Sequence, residues 1–171
     1  MEAVRVDFAD GLWPALIGWF IITAATTERQ TATAEIALAG VRVADVMTPH
    51  PDLASGWRTV ADFTEEAAGA RQDAFPVVGF NGALTGVVLT SQLARIPARE
   101  RPGVRLDQVM LPVPPGYRAA PDDAAAPLAT RVPLGGQVAA VVLADGRVAG
   151  MVTASDLQQA MRRRRLTAAG R

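Results

Sequence analysis

The sequence predicts an α+β fold, in which two copies of one β-α-β-β-α unit pack on each other behind an apolar N-terminal helix. The duplication is read directly. Asp45-Val46-Met47 returns 63 residues later as Gln108-Val109-Met110. Asn81-Gly82 with Gly86-Val87-Val88 returns 64 residues later as Asp145-Gly146 with Gly150-Met151-Val152. Two landmarks keep nearly constant spacing. A unit of about sixty residues is too long for most solenoid repeats. It is also too short to be two independent enzymes, so ligand sites are expected where the copies meet.

Composition narrows the function. A chain of 171 residues, half of them hydrophobic, can bury a real core. Seventeen basic and seventeen acidic residues cancel, which argues against a nucleic-acid partner held by excess positive charge. All the basic residues are arginine, a bias that fits a GC-rich genome. Without cysteine there are no disulfides, thiolate nucleophiles or Cys-based zinc sites. His50 is the single histidine, so an HExxH site is impossible within this chain, and a Ser-His-Asp triad has one candidate base. Its setting, Thr48-Pro49-His50-Pro51, reads as an extended surface turn.

The elements follow in order. Leu12–Ala25 (LWPALIGWFIITAA) carries no charge. It is shorter than the roughly 20 residues of a membrane span, and Glu2, Asp7 and Asp10 precede it where a signal peptide would be basic. Pro14 suits a first helical turn. With no polar stripe, this helix is expected in a dimer interface, at a membrane interface, or as the end of a transmembrane segment. Thr27–Ala39 has helical composition, and Gly40 suits its C-cap.

In copy one, Val43–Met47 reads as a turn or helix start. Thr59 caps a helix over Val60–Ala70 with apolar residues at helical spacing. Ala74–Gly79 is a buried-type strand, Asn81-Gly82 a hairpin, Leu84–Leu89 the return strand, and Ser91–Arg95 a short helix. In copy two, Leu106–Met110 is the corresponding turn, and Pro112–Tyr117 is extended. Asp122 caps a weak helix to about Thr130, kept short by Pro127. Gln137–Ala144 and Arg147–Thr153 are strands about Asp145-Gly146, and a helix runs from Ser155 towards Arg165.

The pattern V-x-D-V-M-T, then F-P-V-V-x-x-x-G-x-x-x-G-V-V, then G-M-V-T-A-S-D-L, resembles the CBS domain, and the tandem resembles a Bateman module. The resemblance covers residues 41–165. It divides the chain into an apolar helix and connector (1–40), a first repeat (41–96), a linker (97–103), a second repeat (104–165) and a disordered tail (166–171). It implies two copies packed about a pseudo-twofold axis, two clefts between them, and often a homodimer. It also implies adenosine ligands: AMP, ADP, ATP or S-adenosylmethionine, with no required cofactor.

On that resemblance Asp156 holds the ribose hydroxyls with its two acceptor oxygens, and Thr153 and Ser155 meet phosphate at a helix N-terminus. Backbone around Val41, Val46 and Met47 lines the adenine pocket. Ser155 or Asp156 acting only as a helix cap accounts equally for these residues. Copy one departs from the pattern, with Leu89 in place of the hydroxyl and Gln92 in place of the carboxylate, so its cleft is expected to be empty or to hold something else. Arg71 and Arg131 are the candidates for phosphate. The run Arg162–Arg165 reads as favourable charge at a helix C-terminus or as contact with an anionic membrane.

Residues 11–48 are similar to the junction in site-2-protease-like membrane zinc peptidases, where a CBS pair follows the last membrane helix. The peptidase residues of that family lie upstream of this junction, and none is present here. The expectation is therefore a non-catalytic regulatory module that binds an adenine nucleotide and signals to a dimer or partner. It would lie in the cytoplasm, associated with the inner face of the membrane. The alternative is a ligand-free structural tail of a membrane metalloprotease, acting with a protease domain upstream or in trans.

Overall fold

The computed structural model describes residues 36–169. The expected apolar helix and most of its connector lie outside this range. Among the described residues no helix is long and apolar enough to cross a membrane.

Two small sheets carry the fold. In the first, β2 (Ala54–Ser55) runs parallel to β3 (Ala74–Val78), which pairs antiparallel with β4 (Leu84–Leu89). In the second, β5 (Arg118–Ala119) runs parallel to β6 (Val138–Ala144), β6 pairs antiparallel with β7 (Arg147–Thr153), and β1 (Thr48–Pro49) adds to the far edge of β7. The helices are α1 (Val60–Ala67), α2 (Thr90–Leu93), α3 (Leu106–Val109), α4 (Ala126–Ala129) and α5 (Ala154–Ala169).

The repeats exchange their lead-ins. Thr48, from the start of copy one, pairs with Met151 of copy two. Leu111, from the start of copy two, pairs with Val87 of copy one through N–H···O bonds of 2.8 and 2.9 Å. Packing follows the same crossing. Val43, fully buried, joins Val142, Val152 and Leu157 of copy two, and Leu106, fully buried, joins Phe63, Phe75 and Val88 of copy one. Burying each such side chain is worth about 1.5–3 kcal/mol, so the lead-ins are held by more than edge hydrogen bonds. A third cluster, with Val87, Leu89, Val113, Val141 and Met151, joins the sheets. The compact units therefore differ from the sequence repeats: residues 41–49 pack with the second unit and 104–111 with the first.

Local rules account for most element ends. Thr59 caps α1, its hydroxyl accepting from the Asp62 amide at 3.2 Å. That helix stops at Ala67 rather than Ala70, with Gly69 just beyond it. Asp145 (φ 50°) and Gly146 (φ 75°) form the two-residue turn that suits a twisted hairpin. Between β3 and β4 the connection is longer, Gly79–Ala83, and only Gly82 takes positive φ. α4 is shorter than expected, because Asp123 turns back to accept from the Ala120 amide at 2.7 Å. α5 continues past Arg165 to Ala169, through the first part of the expected disordered tail. His50 departs from the extended backbone expected before Pro51. It is left-handed (φ 48°) and exposed, and its N–H bonds the Ala149 carbonyl at 3.1 Å, ending β1.

Candidate functional site

β7 delivers Thr153 to the start of α5, and the T-x-x-D sequence there closes a capping box. The Thr153 hydroxyl accepts from the Asp156 amide at 3.2 Å. Asp156 Oδ2 in turn accepts from the Thr153 amide at 2.8 Å and from its hydroxyl at 2.7 Å. The cap is thus Thr153, with Asp156 as its partner. Both are half-buried and Ser155 is exposed. One Asp156 oxygen carries the whole box, and Oδ1 enters no described hydrogen bond.

These three residues line a cleft of about 540 Å³ between the copies. Its opposite wall is the approach to β3, Arg71–Ala74, and Thr48 and Met151 meet in it as β-sheet partners. Gln72 fixes that wall. Its side-chain amide accepts from the Asp52 amide at 3.0 Å and donates to the Asp52 and Ala74 carbonyls at 2.9 and 3.1 Å. Arg71 is the single cationic side chain of the lining, which also holds Asp52, Asp73 and Asp156. Arg131, the other candidate, lies elsewhere: it bonds the Gly116 carbonyl and stands 5.9 Å above the Tyr117 ring.

Of the residues expected on the adenine side, Val41 is core. Its N–H bonds Leu38 at 3.0 Å and its carbonyl accepts from Ala125 at 2.9 Å. Val46 and Met47 are partly buried against the second unit, both amides donating to the Val43 carbonyl at 3.1 and 2.9 Å. Thr48 is the residue of this lead-in that reaches the cleft.

The pseudo-equivalent cleft, about 310 Å³, is lined by Leu89, Ser91, Gln92, Arg95, Leu111 and Gly135. Leu89 stands where Thr153 does, Leu111 where Thr48 does, and Gln92 where Asp156 does. Gln92 spends its amide on the Val109 carbonyl, and its own oxygen is buried without a partner among the described residues. Leu89 lies against Gly135, where a Cβ would collide with it. Thr48, Gln72 and Gln137 in the larger cleft and Arg95 in the smaller were not anticipated. Thr48 alone had a signal, since it completes the D-V-M-T motif.

No family model matches the sequence. A relative from Mycobacterium tuberculosis described as the zinc metalloprotease Rip3 is 37% identical over 158 residues. The match takes in 91% of this chain, which spans 40% of the length of that relative. Among solved structures, the CBS domain of a CBS-domain-containing membrane protein from Sphaerobacter thermophilus is 25% identical at TM-score 0.59, covering 80% of this chain and 96% of that one. The CBS domain of a bacterial CNNM/CorC family Mg2+ transporter, solved with ATP, is 20% identical at TM-score 0.63, covering 78% and 96%. The chain has the fold of a tandem CBS-domain pair.

Proposed function

We propose that this CBS pair is a non-catalytic regulatory module that binds one adenine nucleotide per chain, in the larger cleft, and passes its occupancy to a dimer partner or an attached domain. The observation that carries this is the asymmetry of two equivalent clefts. Thr48, Thr153 and Asp156 make one polar, where Leu111, Leu89 and Gln92 fill the other. Asp156 Oδ1 takes a ribose hydroxyl, Thr153 and Ser155 meet phosphate with the amides of the first turn of α5, and Arg71 adds its charge. Thr48 forms the adenine side, held at the cleft by the Val46-Met47 turn that leads into it, with Val41 as apolar support in the core behind. A filled cleft spans both units, so ligand favours one packing over another.

Charge orders the ligands. Three carboxylates against one guanidinium disfavour a triphosphate, so AMP and the cationic S-adenosylmethionine bind better than ATP.

A second reading rests on the Rip3 match, which covers nine-tenths of this chain. The CBS pair then serves as the regulatory part of a membrane zinc metalloprotease, on the cytoplasmic side, with or without ligand.

The test is a thermal-shift titration with AMP, ADP, ATP, S-adenosylmethionine and adenosine. Binding raises the melting temperature saturably, Asp156→Asn abolishes the rise, and Ser91→Ala in the other cleft leaves it intact. A folded protein that no ligand shifts returns the role to a structural one.

A further inference from the structure

We propose that the C-terminal half of α5 is a docking surface for an anionic lipid bilayer. The first half of the helix is fastened to the domain: Leu157 is buried, and Ala160 and Met161 pack on the second unit. From Arg162 to Thr167 every residue is exposed, so the helix leaves the body there. That stretch opens with four consecutive arginines, none within 4.0 Å of a carboxylate among the described residues. The helix runs on to Ala169, which places these charges inside it rather than at its C-terminal dipole. Like charges one turn apart, such as Arg162 and Arg165, weaken a free helix, a cost that neighbouring phosphates remove.

A second observation names the partner. Leu38, near the first described residue, lies in the same core cluster as Leu157 and Met161. The described residues therefore start in the core cluster that also holds the base of α5, and the uncharged run Leu12–Ala25 lies upstream in sequence. That run holds Trp13, Trp19 and Phe20. An apolar, tryptophan-bearing sequence and a cluster of guanidinium groups in one chain match the interfacial and headgroup layers of a membrane. A nucleic acid would ask for basic charge alone, and the chain as a whole is neutral.

The test is co-sedimentation of the full chain with vesicles of phosphatidylcholine alone and with vesicles containing phosphatidylglycerol. Each arginine near an anionic surface is worth about fivefold in binding. Changing Arg162, Arg163, Arg164 and Arg165 together to Gln should lower partitioning onto the anionic vesicles by more than about a hundredfold. The same four changed to Lys should largely keep it, and added salt should weaken the wild type. The melting temperature should not move, because these side chains are exposed. If it falls, Arg162→Gln with Arg165→Gln makes the same comparison at about 25-fold. Equal partitioning onto neutral and anionic vesicles, an anionic preference that survives the Gln changes, or tighter arginine-dependent binding to duplex DNA would each overturn the proposal.

Discussion

Replacing Gly86 with alanine should destabilise the fold by about 2–4 kcal/mol, through the exchange of lead-ins rather than through its own strand. A Cβ at Gly86 would stand 2.6 Å from Met110 Sδ and 2.8 Å from the Leu111 carbonyl oxygen. The methionine can turn aside. The carbonyl cannot, because it accepts from the Val87 amide at 2.9 Å while the Leu111 amide returns a bond of 2.8 Å. Ordinary contact requires a retreat of roughly 0.6 Å, which strains both hydrogen bonds, each worth about 1 kcal/mol net. Overpacking adds about 1–3 kcal/mol, and the smaller entropy of the unfolded alanine chain returns less than 1. Gly150, its counterpart, would meet the flexible end of Met47, with the Thr48 carbonyl farther off at 3.1 Å. Gly150→Ala should therefore cost less, about 1–2 kcal/mol. Urea unfolding at 25 °C measures both. A Gly86→Ala protein within about 0.5 kcal/mol of wild type, or a Gly150→Ala protein that is equally destabilised, would refute the reasoning. Adding Met110→Ala to Gly86→Ala should recover only part of the loss, since the carbonyl clash remains.

Other perturbations have equally definite outcomes. Phe75→Ala removes a buried ring packed edge-on to Phe63 at 5.0 Å between centroids, and should cost about 3–5 kcal/mol in the same urea assay. His50→Val places a β-branched residue at φ 48° and should cost about 1–2 kcal/mol, whereas His50→Gly should be nearly neutral; thermal melts of the pair separate backbone strain from lost contacts. Asp156→Asn should change the ligand-free melting temperature only slightly, because the asparagine side-chain oxygen can still accept from the Thr153 amide and hydroxyl in the capping box, while it removes the nucleotide response.

The strands were legible where turn chemistry brackets them. β4 and β7 occupy the spans expected from Asn81-Gly82 and Asp145-Gly146, since a turn fixes where its return strand starts. Helix ends were less legible. α1 stops at Ala67, three residues before the expected end, and nothing in Arg165–Ala169 tells the chain to stop. The exchange could not be read at all. A repeat shows that Met47 and Met110 are equivalent, as are Gly86 and Gly150, but not that each methionine meets the other copy's glycine. The larger cleft was half visible. Thr153, Ser155 and Asp156 sit on one turn and share one motif, so sequence spacing finds them. Gln72 and Gln137 come from different copies and line one cleft only in the folded molecule. Arg71 and Arg131 looked alike in sequence. Attachment to Tyr117 and the Gly116 carbonyl separates them.

The crossing also sets a timetable for synthesis. Thr48 leaves the ribosome about a hundred residues before Met151, its partner across the sheet. At ordinary translation rates that interval is roughly 5–20 s. Through it, Val41 and Val43 gain the second-unit side chains that bury them one by one, with Val152 and Leu157 the last to be made. The first unit is also short of Leu106 until the linker has been made. Neither half can mature alone, so the nascent pair stays vulnerable until β7 has been translated, and that strand is the one that fastens the lead-in of the first repeat in place.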